Sequence, residues 1–247
     1  MMIMTYIFAF IMFACVGSFI GVCAYRIPKG EQILKGRSYC DECGRQLGAL
    51  EMVPIISFIF LRGKCKGCKK RISFVSTAIE LATAILGILC LYVYGLTPTG
   101  IAYSVVTCVL IEITVLDYKT MEISDVAVII IALLGIGLMI WQSDYIPSLI
   151  GALCVSIPFL VLALCKVMGM GDVKLMAAVG VLLGYKGVLV AAFFGVVIGC
   201  FVAIAMKLKN KKGWKSEIAF GPYLCAGTYL SMLIGDQIIS AYLALFQ

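Results

Sequence analysis

Two aspartates, Asp117 and Asp172, and two CxxC cysteine pairs are the residues here whose types and spacing could do chemistry. Asp172 lies in Lys166-Val167-Met168-Gly169-Met170-Gly171-Asp172-Val173-Lys174, a polar interruption between long apolar runs. A carboxylate near membrane depth is costly unless something uses it, so its presence marks a functional site. Gly169 and Gly171 lack side chains and let another chain come close to the backbone beside it. Asp117 opens Asp117-Tyr118-Lys119-Thr120-Met121-Glu122-Ile123-Ser124-Asp125 at the end of another apolar run. Two carboxylates at one depth suit acid-base hydrolysis. One, ionised, activates a water, while the other, protonated, polarises a carbonyl and then assists departure of the amine. Each acid alone reads better as a loop residue at the water interface. The chain has 0 histidines, which excludes Ser-His-Asp triads, Cys-His pairs and HExxH metal sites.

Cys40-Asp41-Glu42-Cys43 and Cys65-Lys66-Gly67-Cys68 form two CxxC pairs separated by 21 residues. Cys40, Cys43, Cys65 and Cys68 supply four thiolates suited to one tetrahedral zinc ion. Two disulfides, or unpaired cysteines, are the competing readings. Four protein ligands leave no open coordination position, so the zinc would be structural. Arg45, Lys64, Lys66 and Lys69 could offset the negative charge of such a centre. The other cysteines fall in or at the ends of apolar spans, where Cys acts as a small hydrophobe.

The elements that position these residues must be membrane helices. The chain has 247 residues, 63% of them hydrophobic, with a mean hydropathy of +1.09, too few polar residues to cover a soluble core. The expected fold is all-α, a polytopic membrane helical bundle of about eight transmembrane helices. Apolar windows of helical length fall near 3–24, 74–95, 99–116, 125–141, 145–165, 173–184, 187–206 and 218–244. The span at 173–184 is short for a crossing and is expected to begin slightly before Val173. Placing both termini outside puts 19 of the 20 Lys and Arg residues on the cytoplasmic side. Asp117 and Asp172 then share the cytoplasmic face, and the cysteine segment lies in a reducing compartment, which favours zinc over disulfides. The net charge of +7 serves as an orientation signal and calls for no nucleic-acid partner. The expected divisions are 1–25, a first transmembrane helix; 26–73, a small cytosolic zinc-ribbon-like segment; and 74–247, a membrane core. The small-residue stretch 17–28 reads as a helix-packing face. Glu80 and Glu112, inside two spans, read either as packing devices or as parts of a polar pocket.

Four segments in this order, 17–28, the paired CxxC segment with Leu61-Arg62-Gly63-Lys64-Cys65, 117–125, and Gly169-Met170-Gly171-Asp172, resemble the bacterial type IV prepilin peptidases. These are membrane aspartyl proteases of the GxGD type. The resemblance implies that Asp117 and Asp172 are the catalytic pair. It implies an enzyme of the bacterial inner membrane whose partners are type IV prepilins and pseudopilins. Such enzymes cut a short basic leader after a glycine at the cytoplasmic face, then N-methylate the new amino terminus using S-adenosylmethionine. Within that frame the cysteine segment is associated with methylation or substrate docking. Gly169 and Gly171 would let the substrate backbone lie beside the acids, and Glu122 and Asp125 would attract the basic leader. The basic loop at 207–215 would repel it. No glycine-rich nucleotide loop after a strand is present to mark the methyl-donor site. The helix directions place Asp172 at a helix N-terminus and Asp117 at a C-terminus, so Asp172 is expected to hold the shared charge and Asp117 the proton. A transporter or a non-catalytic zinc-ribbon scaffold is the alternative; the first should show inverted repeats, and the second leaves the acid pair without a purpose.

Overall fold

The computed structural model describes residues 2–33, 38–40, 42–209 and 219–245. Most of the basic stretch expected at 207–215 lies outside the described residues. The described chain is helical, with only two isolated antiparallel bridges, Tyr39 with Gln46 and Lys64 with Arg71. It divides into two compact units, Met1–Gly95 and Leu96–Gln247.

The N-terminal unit contains α1 (Met2–Arg26), the cysteine segment with the short α2 (Ile56–Phe60), and α3 (Phe74–Tyr94). The Ser73 hydroxyl caps α3 by accepting from the Val75 N–H at 3.3 Å. The packing face expected at 17–28 is where α1 meets α3. A Cβ on Gly17 would lie 2.7 Å from the Glu80 Cα, and one on Gly87 would lie 2.9 Å from the Phe13 ring. This contact holds α3 against α1 in one compact unit, which runs to Gly95.

The second unit runs through α4 (Pro98–Thr120), α5 (Asp125–Gln142), α6 (Tyr145–Cys154), α7 (Ser156–Leu164), α8 (Met170–Lys209) and α9 (Gly221–Ala244). Thr97 caps α4 through its hydroxyl, which accepts from the Gly100 N–H at 3.1 Å, with Pro98 at the first helical positions. Its core joins Ile113, Ile131, Leu175, Met176, Val179 and Leu224, contributed by α4, α5, α8 and α9. The backbones of α6 and α8 nearly touch. A Cβ on Gly180 would lie 2.1 Å from the Gly151 carbonyl oxygen, a close approach that only small residues allow.

Six helices among the described residues are long and apolar enough to cross a membrane: Ile3–Lys29, Phe74–Tyr94, Pro98–Thr120, Asp125–Gln142, Tyr145–Leu164 and Met170–Met206. The difference from eight has two physical sources. The spans expected at 173–184 and 187–206 follow each other within α8 as two helical stretches that meet at Gly184, whose φ 68° and ψ 179° are non-helical and open to glycine alone, so they are counted once. The part before that kink begins at Met170 and has 14 residues, roughly 21 Å of helix against a hydrocarbon thickness of about 30 Å. The last expected span forms the 24-residue α9, whose apolar run is broken by Asp236 and Gln237.

Candidate functional site

Asp117 stands one turn before the C-terminus of α4, which closes when Met121 turns left-handed (φ 57°) and donates its N–H to the Asp117 carbonyl at 2.9 Å. That cap sends residues 121–124 across to the start of α5. Between α7 and α8, Lys166 takes a left-handed conformation (φ 58°), and the following turn ends with Gly169 immediately before α8. Asp172 thus falls in the first turn of α8, with its carboxylate turned back toward the Gly169 backbone, a side-chain position that satisfies an exposed helix N–H.

These two ends meet in a cavity of about 320 Å3 lined by Asp117, Glu122, Asp125, Gly169, Gly171 and Asp172, with Lys174 among its other residues. Asp117 is 5% exposed and Asp172 6%. The two glycines serve different needs. A Cβ on Gly171 would lie 2.9 Å from the Ile123 Cβ, so its missing side chain is what lets the 121–124 turn settle on α8. A Cβ on Gly169 would meet the Asp172 Oδ2 at 3.5 Å, an ordinary contact.

Sequence reasoning missed Gly221. It opens α9, and its N–H donates to the Asp117 Oδ2 at 3.0 Å. A Cβ there would lie 2.6 Å from that oxygen, so a glycine is required. The signal was present as Gly221-Pro222 at a helix start. Its partner, 104 residues away, was not legible. The hydrogen bond changes the expectation for the proton. An N–H donor is best met by an unprotonated oxygen, so the bond favours the charged form of Asp117 or a proton placed on Oδ1. The helix N-terminus of α9 also offsets the unfavourable dipole of α4, which removes the reason to assign the charge to Asp172 alone.

Lys174 donates to the Asp125 Oδ1 at 2.7 Å across half-exposed side chains, an ion pair worth at most about 1 kcal/mol. The Glu122 carboxylate has no ion-pair partner among the described residues.

In the N-terminal unit, Cys40, Cys43, Cys65 and Cys68 place their sulfurs within 4.8 Å of one another, a grouping that could hold a metal ion such as zinc. Tetrahedral zinc with bonds of about 2.3 Å separates its sulfurs by about 3.8 Å, and Cys40 Sγ lies 3.9 Å from Cys68 Sγ. The two knuckles repeat one hydrogen-bond pattern. Cys40 N–H donates to the Arg45 carbonyl at 2.9 Å and Gly44 N–H to the Cys40 carbonyl at 2.8 Å; Cys65 with Lys70 and Lys69 with Cys65 repeat this at 2.9 and 3.0 Å. Gly44 (φ 68°) and Lys69 (φ 59°) take the same left-handed position. Backbone N–H groups of Cys68 and then Gly67 pull the Cys65 thiol down to about 6, toward the thiolate that a metal requires. Glu51, accepting from the Gly48 N–H and from Arg45, is lowered from its ordinary value, and Lys70 pairs with Glu42 across the two knuckles.

Residues 11–94 match the bacterial peptidase A24 N-terminal domain, and residues 104–204 match the type IV leader peptidase family. A Bacillus subtilis protein named prepilin leader peptidase/N-methyltransferase is 35% identical over 241 residues, covering 95% of this chain and 96% of its own length. The chain belongs to the type IV leader peptidase family. Relatives of the same name in Aeromonas salmonicida and Pseudomonas aeruginosa are 31% and 28% identical, over 84% and 92% of this chain and 75% and 90% of their own. No solved structure matches the chain. Together with its six apolar helices, membership in the family makes this chain a multi-pass inner-membrane protein.

Proposed function

We propose that this chain is an aspartyl endopeptidase that removes the short basic leader of type IV prepilins and pseudopilins, and that it N-methylates the amino terminus so exposed. Asp117 and Asp172 are its catalytic acids. The observation that carries this reading is one cavity walled by two nearly buried aspartates, with two further acids at its rim. A scaffold or a transporter gives no reason for that convergence, and the names of the relatives point to peptidase and N-methyltransferase chemistry.

A water held between the carboxylates loses a proton to the ionised one as its oxygen attacks the scissile carbonyl carbon. The protonated partner gives its proton to the carbonyl oxygen. The tetrahedral diol then collapses: the amine nitrogen takes the proton of the protonated acid and leaves with the C–N bonding pair, while a diol hydroxyl gives its proton to the ionised acid, so the pair again holds one shared proton. Burial keeps bulk water from competing, and the Gly221 N–H holds Asp117 in place for the attack. The bare Gly169 edge gives the substrate backbone an approach. Glu122 and Asp125 attract the leader's cationic side chains.

The active site faces the cytoplasm, both termini lie outside, and the segment 26–73 is a cytosolic zinc-binding module ahead of the 74–247 core. Its metal is zinc, held by Cys40, Cys43, Cys65 and Cys68 in a structural role. The methyl donor is S-adenosylmethionine, which supplies an electrophilic methyl group to a neutral amine and retains the S–C bonding pair on sulfur as the amine sheds its proton. The test is a mass spectrum of a prepilin incubated with the purified chain in lipid. Loss of the leader with gain of one methyl group is the expected product; an intact prepilin refutes the peptidase.

A further inference from the structure

A second cavity, about 470 Å3, lies within the N-terminal unit between α1, the cysteine segment and α3, a volume in the range that encloses nucleoside-sized ligands. Its walls combine opposite charges that are both nearly out of water: Glu80 on α3, 8% exposed, and Arg26 at the end of α1, 7% exposed. Buried charges are kept only where they are hydrogen-bonded or put to use. Glu80 Oε2 accepts from the Ile55 N–H at 2.8 Å. Ile55 provides that donor from φ 60° and ψ −52°, a conformation that β-branched residues avoid and that persists where the surroundings require it. Arg26 is steadied by Nη1 donating to the Gln32 and Ile33 carbonyls at 3.2 and 2.9 Å. The rings of Tyr25, Tyr39 and Phe58 and the hydroxyl of Ser76 also line the cavity, as do the more exposed charges of Glu51 and Lys66.

We infer that this cavity binds the methyl donor, a sulfonium that carries an amino-acid tail and a nucleoside. The match is chemical and threefold. Glu80 takes the cationic end, ammonium and sulfonium; Arg26 takes the tail carboxylate with a planar guanidinium; the aromatic walls accept a purine and favour a neighbouring cation. An apolar ligand would use neither charge, and a plain anion would be repelled by Glu80. The inference rests on the methylation half of the proposed function. The aspartate cavity belongs to the other unit, and the N-terminal unit matches a family of its own.

The test uses the full chain in lipid nanodiscs, with radiolabelled S-adenosylmethionine as the probe. Ultraviolet photolabelling followed by peptide mapping should place the label within residues 15–26 or 38–80. Label confined to residues 96–247 overturns the inference, and this arm needs no substitution. Glu80→Gln keeps an acceptor for the Ile55 N–H and removes the charge, so it should weaken equilibrium binding by about tenfold or more. Ser76→Trp, which fills the space, should weaken it as well. If both variants retain their metal and melt like the parent yet bind as tightly, the cavity is not the site. A parent chain that binds no probe overturns this inference and the methylation reading together, and leaves the peptidase reading intact.

Discussion

The two units assemble their chemistry in opposite ways. The cysteine centre comes from two short local repeats, each closing its own turn through the same pair of backbone hydrogen bonds, so only one long-range meeting is needed. The aspartate cavity draws on the end of α4, the 121–124 turn, the start of α8 and the start of α9, and its Gly221 hydrogen bond spans 104 residues. A site made of local repeats is written in spacing; a site made by packing is written only in its charged members. The first should therefore fail through its ligands and the second through its backbone geometry.

Gly221→Ala should be the most damaging single-methyl change within the aspartate cavity. It would force Asp117 away from its donor, and a displacement of that kind costs about 100-fold or more in kcat, with KM for a prepilin peptide little altered. A normal rate in the Gly221→Ala variant would break the comparison. Cys65→Ser should take bound metal, measured by elemental analysis, from one ion per chain to about one tenth of that or less. Retention of the metal would mean that the four sulfurs are not a single site. Gly171→Ala should lower cleavage by about tenfold, because Ile123 must move, while Gly169→Ala should change it by about twofold at most. Equal effects would show that substrate contact, and not turn packing, governs this pair. Smallest of all, Glu122→Lys should raise KM for a basic leader by a few-fold, and more than Asp125→Lys does, since Lys174 already answers Asp125. Raising salt should shrink that difference.

Much of this was legible. A helical membrane bundle followed from composition, because so apolar a chain has no soluble solution. The grouping of the four cysteines followed from CxxC spacing, and the acids stood out by their cost amid apolar runs. The number of full crossings and the partner of α3 were less so. Gly184 reads in sequence as a break between two spans, and at φ 68° and ψ 179° it does interrupt the helix; that the next helix follows directly, with no loop, was not legible. The affiliation of α3 depends on Gly17 and Gly87 admitting close contact with α1, which only the partner helix reveals. Gly221 escaped because a backbone donor has no residue type to betray it. Glu80 could be placed in depth from sequence, but its donor, the strained N–H of Ile55, could not.

Asp117→Asn and Asp172→Asn, each made alone and incubated with intact prepilin, test the central claim most directly when the product is read by mass. Neither variant should release leader above the uncatalysed level, while both should keep the metal content and melting temperature of the parent. Normal processing by either one would mean that peptide cleavage does not depend on this pair of acids.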